Sequence, residues 1–204
     1  MTTVYFIRHA ESDNAVRDGR IRPLTAKGLA DCGLVTEFLA DKHIDAVLSS
    51  PFKRAIDTVG GFAEKAGLTV IIDEDFREQR SDTGWSGSKW PRSAKNEDFY
   101  RFLERQWADF SYTLSDGECL AAVQERNIAA LNRALAEYEG KTIVVGTHGT
   151  ALSTIINYYD GTYGFGDFMS MVGVMPWAVK MTFDGTECGS IQKIDLFKPE
   201  GGTP

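Results

Sequence analysis

Apolar residues in this chain gather into short unbroken runs rather than alternating with polar ones. Val4-Tyr5-Phe6-Ile7, Ile44 to Ser49, Leu68 to Ile72 and Thr142-Ile143-Val144-Val145-Gly146-Thr147 all read this way. Runs of that length, rich in β-branched and aromatic residues, predict interior strands of a parallel sheet. Between them the spacing becomes helical. Thr25 is placed as an N-cap, with Leu24 stapled to Leu29, and Leu29, Cys32, Val35 and Leu39 predict a helix to about Ala40. Ser50-Pro51 opens a helix over 52–65, because proline is tolerated in a first turn.

Asn96 followed by Glu97 and Asp98 starts another helix, with Phe99, Leu103, Trp107 and Phe110 on one face. Ser115-Asp116-Gly117-Glu118 fits a capping box for a helix to about Tyr138, with Leu120, Val123, Leu131 and Leu135 inward. A helix over 151–158 and a turn-rich break at 161–166 follow. Ala178 to Phe183 and Ile191 to Phe197, around Asp184-Gly185-Thr186 and residues 187–190, predict a β-hairpin at a sheet edge. The fold expected is α/β, a three-layer α/β/α sandwich with a mostly parallel central sheet and an antiparallel edge, plus a small helical lid. Length fits a single domain over 1–204, with 80–112 as a lid insertion and a frayed tail from Pro199.

Composition narrows the partners. Twenty-two basic against twenty-nine acidic residues give a net charge of −7, which argues against a nucleic acid and leaves an anionic small molecule dependent on a local arginine cluster. Cys32, Cys119 and Cys188 are three, widely spaced, so free buried thiols are expected rather than disulfides or a zinc site. The opening residues run straight into the first strand, with no charged and apolar leader, and no run reaches membrane-spanning length; the expectation is a cytoplasmic protein with no membrane partner. Oligomeric state is left open.

The chemistry lies where the strands stop. In open α/β sheets ligands gather beyond the carboxyl ends of parallel strands. The first run ends at Arg8-His9, the fourth at His148-Gly149, and the helix after the second run carries Arg54 in its first turn. Polar residues 12–23, with Arg17, Arg20 and Arg22, read as a loop over such a site or as plain solubilising charge. Two guanidinium groups would repel a metal ion, so no metal and no organic cofactor is expected. Arginine instead matches phosphoryl oxygens in planar, bidentate geometry. G-x-S-x-G, a P-loop and a cysteine followed six places on by arginine are all absent, which leaves histidine as the phosphoryl acceptor. Hydrogen-bonded strand-end histidines are the alternative for His9 and His148.

Arg8-His9-Ala10-Glu11-Ser12 resembles the R-H-G-[ET]-[ST] signature of the histidine phosphatase superfamily, the phosphoglycerate-mutase-like family. Leu24-Thr25-x-x-Gly28, Ser49-Ser50-Pro51-x-x-Arg54-Ala55-x-x-Thr58, Phe76-Arg77-Glu78 with Gly84-Trp85-x-Gly87, and Val145-x-Thr147-His148-Gly149 are similar to that family's pattern, in order. The resemblance implies His9 as phosphoryl acceptor, Arg8, Arg54 and His148 holding phosphate oxygens, and Glu78 as proton donor. It departs at Ala10, where the family has glycine, and at Asn14, which lies one place before the asparagine of many relatives. Hydrolysis of a small anionic phosphomonoester through phosphohistidine is the expected activity; a phosphoglycerate mutase and an idle phosphate-binding regulatory module are the alternatives. Glu78 has a bland reading too, as a solvated loop carboxylate.

Substrate contacts are sought at Asn14 and Arg77, and at Trp85, Lys89, Trp90 and Arg92 as parts of an aromatic and cationic cover in residues 80–112 over the anionic, non-reacting part of the substrate. The competing reading makes Phe99, Leu103, Trp107 and Phe110 an ordinary packing face.

Overall fold

The structure is a computed structural model that describes residues 1–81 and 97–198. Its strands are β1 (Thr2–Arg8), β2 (Ala46–Ser49), β3 (Val70–Ile72), β4 (Thr142–Thr147), β5 (Trp177–Asp184) and β6 (Glu187–Ile194). They form one sheet in the order β3-β2-β4-β1-β5-β6. The first four strands are parallel, while β5 and β6 run antiparallel at one edge as a hairpin. Among the described residues six α-helices cover the sheet: α1 (Ala26–Leu39), α2 (Lys53–Ala66), α3 (Glu97–Ala108), α4 (Leu120–Glu137), α5 (Gly149–Tyr159) and α6 (Phe165–Met171). None is long and apolar enough to cross a membrane.

β1 shows why an unbroken apolar run was needed. Val4 and Phe6 pack on one face with Ile128, Leu131, Leu152 and Ile155 of α4 and α5, while Tyr5 and Ile7 pack on the other with Val35, Val59 and Phe62 of α1 and α2. Side chains of a strand alternate between faces, so a strand sandwiched between helix layers must be apolar at every position.

Several local expectations change. Thr25 caps α1 by accepting from Gly28 N, but Leu29 is 59% exposed, so the Leu24–Leu29 staple does not form. Gly28 instead faces the Glu11 backbone: a Cβ there would come within 2.0 Å of the Glu11 carbonyl oxygen. The Ser115–Glu118 capping box is absent too. Cys119 is the N-cap of α4, without a side-chain bond, because the Glu118 carboxylate accepts instead from Arg77, Arg126 and the Arg80 backbone N–H. The break expected at 161–166 ends at Gly164, two residues early, where α6 begins with the Gly164 N–H donating to Asp167 Oδ2 at 3.1 Å. The second hairpin strand begins at Glu187 rather than Ile191, since Gly185 turns tightly in the left-handed region with φ 57°. All three cysteines are half-buried rather than buried.

Candidate active site

Parallel register brings three strand ends to one edge. Arg8 pairs with Thr147 and Ser49 with Gly146, so His9, Ser50 and His148 emerge side by side. His9 N donates to the Thr147 carbonyl at 3.0 Å and Ser50 N to that of Gly146 at 2.9 Å. The ring centroids of His9 and His148 are 5.2 Å apart. Arg54 arrives on the first turn of α2, which follows the Ser50-Pro51 bend. His9, His148, Arg8 and Arg54 are all buried.

The surroundings fix what His9 can do. Its Nδ1 lies 2.7 Å from the Ala10 carbonyl oxygen, which can accept but not donate; Nδ1 therefore carries the ring proton and Nε2 keeps a lone pair. Burial first, then the charges of Arg54 and Arg8, hold the imidazole well below its ordinary pKa, so it is neutral near pH 7. His148 is pushed down in the same way, by burial and then Arg54, and its Nε2 lies 2.7 Å from Ser50 Oγ. Burial lowers both Arg8 and Arg54 to about 10, which still leaves each charged at neutral pH.

Arg8 is engaged more than expected. Nη1 donates to the carbonyl oxygens of Met171, at 2.5 Å, and Val174, at 2.9 Å, and Nη2 to that of Val172 at 3.0 Å, a cation set against the carboxyl end of α6. Arg54 Nη1 donates to the Gly19 carbonyl at 2.6 Å, fastening the 12–23 loop beside the site. Four buried side-chain polar atoms lack a hydrogen-bond partner among the described residues, and three of them, Arg8 Nε, Thr147 Oγ1 and His148 Nδ1, belong to these strand ends. Buried polar atoms are ordinarily paired, so such a set at one sheet edge suits a polar group from outside the chain.

Glu78 stands beside that edge. Its Oε2 accepts from Thr150 N at 3.2 Å and its Oε1 from Ala151 N at 3.1 Å, the first turn of the helix that His148 caps. Arg126 secures the approach, donating to the carbonyls of Asp75, Arg77 and Glu78 while pairing with Glu118.

Of the remaining candidates, Asn14 is exposed and its Oδ1 accepts from Arg22 at 3.2 Å. Arg77, partly exposed, pairs with Glu118 at 3.0 Å and lies 3.7 Å from Asp75. Trp85, Lys89, Trp90 and Arg92 lie outside the described residues, as do all of residues 82–96 of the expected 80–112 lid. Ser50 and Thr58 were part of a motif but had no role. Ser50 Oγ contacts His148, and Thr58 Oγ1 accepts from Ala10 N at 3.0 Å while donating to the Arg54 carbonyl at 2.7 Å, which links the two strand-end motifs. Among the described residues no group of three or more His, Cys, Asp or Glu side chains could hold a metal ion.

A model of the histidine phosphatase superfamily (branch 1) matches residues 4–167. The chain belongs to this superfamily. Phosphoserine phosphatase 1 of Hydrogenobacter thermophilus is 32% identical over 160 residues, covering 72% of this chain and 71% of its own. A bifunctional protein of Mycobacterium tuberculosis is 31% identical over 162 residues, 76% of this chain, but the match spans 43% of that relative's length. Among solved structures of the histidine phosphatase fold, YhfR of Bacillus stearothermophilus superposes with a TM-score of 0.75 at 25% identity, over 92% of this chain and 94% of that one. The phosphoserine phosphatase of Entamoeba histolytica, solved as an H9A mutant with phosphoserine, gives 0.71 at 22% identity, over 94% and 96%. Histidine phosphatase relatives thus include phosphatases as well as probable phosphoglycerate mutases, such as that of Serratia proteamaculans at 29% identity over 77% of this chain and 74% of its own.

Proposed function

We propose that this protein hydrolyses phosphomonoesters, taking the phosphoryl group onto Nε2 of His9 and passing it to water. The observation that carries this reading is the Nδ1 contact with the Ala10 carbonyl, which leaves a neutral imidazole with its lone pair on Nε2 between two buried arginines. In the first step Nε2 bonds to phosphorus, the bond to the leaving oxygen breaks, and Glu78 gives that oxygen a proton. In the second step water attacks phosphorus, the P–N bond breaks, and Glu78 recovers a proton.

Arg54 and His148 hold the equatorial oxygens in this scheme. Arg8 supplies charge, its Nε–H and the second N–H of Nη2, since both hydrogens of Nη1 and one of Nη2 are spent on carbonyls. The reaction needs neither metal nor organic cofactor. Three unpaired cysteines suit a reducing, cytoplasmic setting.

Acid-quench of protein mixed with labelled p-nitrophenyl phosphate tests the mechanism. Acid-labile, base-stable label on wild type and none on His9→Ala is the expected result. Label on a serine or cysteine would overturn it, and transfer to a second hydroxyl in preference to water would make the protein a mutase.

A further inference from the structure

A cavity of about 240 Å³ adjoins the candidate site, with Arg8, Glu78 and Thr150 among its lining residues. Phe99, Phe102 and Leu103 of α3 face Phe168 of α6, and Val172 just beyond it, across this space. Trp107 locks the two helices together, with its ring 5.4 Å from that of Phe168 and 6.1 Å from that of Tyr163. The cavity is therefore a formed feature between two fastened helices.

We infer that this cavity receives the leaving group of the substrate and selects an apolar group of one or two rings over one bearing a second negative charge. The inference rests on Glu78 being the proton donor: the donor must face the leaving oxygen, so the bulk of the leaving group lies on the Glu78 side, where the cavity is. Size agrees, because a cavity of about 150 Å³ already holds benzene. Charge agrees as well. Among the described residues lining the cavity Arg8 is the one cation, and three of its N–H groups are bound to main-chain carbonyls. The cationic cover expected from the sequence rests on Lys89 and Arg92, which lie outside the described residues.

Phosphonates, which carry a stable P–C bond, read the cavity without any turnover. In calorimetric titration of the full chain, benzylphosphonate is expected to bind about ten-fold or more tighter than methylphosphonate, since hydrophobic pockets discriminate by about 10–200-fold per small group. Phosphonoacetate, with its extra carboxylate, is expected to bind no tighter than methylphosphonate. Phe102→Ala should shrink the benzyl preference to a few-fold, and Phe102→Leu should retain part of it. Equal binding of benzyl- and methylphosphonate, a preference for phosphonoacetate, or no binding of benzylphosphonate overturns the inference on wild type alone. A benzyl preference with no label on His9 in the quench experiment would sink the phosphohistidine mechanism and leave the apolar pocket standing.

Discussion

Arg126 donates from Nη2 to the main-chain carbonyl of Glu78 across 3.1 Å, so the backbone of the proposed proton donor hangs from a side chain of α4. The same guanidinium reaches Glu118 Oε1 at 2.7 Å and Oε2 at 2.9 Å, and both partners are nearly buried, 11% and 12% exposed. Arg126→Met would leave Glu118 with Arg77 as its remaining ion-pair partner and should cost about 3 kcal/mol, read by urea denaturation, because stranding one member of a buried pair is expensive. Arg126→Lys keeps the charge but loses the fork. It should lower kcat/KM for an alkyl monoester about ten-fold more than for p-nitrophenyl phosphate. Equal losses on both would show that Arg126 supports the fold without positioning Glu78.

Glu78 itself should matter in proportion to how badly the leaving group needs a proton. Glu78→Gln is expected to lose about 10²–10⁴ in kcat on an alkyl monoester, the usual range for general acid catalysis. On p-nitrophenyl phosphate, whose phenolate departs unaided, the loss should be far smaller. A uniform loss would assign Glu78 to helix α5, whose first N–H groups it accepts from, and remove it from proton transfer.

Two buried neutral histidines make stability depend on pH. Both His9 and His148 are held well below the ordinary imidazole value in the folded state. The unfolded chain therefore takes up protons near pH 6.5 that the native state refuses, and stability rises with pH through that window. Below it, stability should fall by up to about 1.4 kcal/mol per pH unit for each histidine. Thermal melts between pH 7.5 and about pH 5 should show this slope, and His148→Asn should remove roughly half of it. A melt insensitive to pH would mean that the imidazoles titrate alike in both states.

Much of this was written in short-range pattern. The unbroken apolar runs of β1 and β4 foretold strands buried on both faces, whereas Leu68 to Ile72 became the edge strand β3 with Ile71 and Ile72 exposed; the residues at which the buried runs stopped, Arg8-His9 and His148, foretold the edge where chemistry collects. Glu118 shows where such reading fails. Three residues after Ser115 it matched a capping box, yet its partners are Arg77, 41 residues away, and Arg126, eight residues away. Local spacing proposes a local partner, and ion pairs between elements outcompete it. The same holds for α6, seven residues long and flanked by glycine, which owes its position to Phe168 packing under Trp107 rather than to helical periodicity. Ser50 and Thr58 sat in a legible motif, but their work, at His148 and between Ala10 and Arg54, exists only after β1, β2 and β4 are aligned.

The grip of Arg8 on the carbonyls of Met171, Val172 and Val174 bears on where this protein can be cut. The family match closes at residue 167, so a fragment trimmed to it would keep every recognisable motif. That fragment would lose the acceptors for Arg8 and the β5 strand that pairs with all of β1, exposing a bare sheet edge next to the histidine. Conserving motifs and conserving a working unit are thus different acts of surgery on this chain, and a truncation library scored for solubility would find its boundary beyond residue 184, where β5 ends.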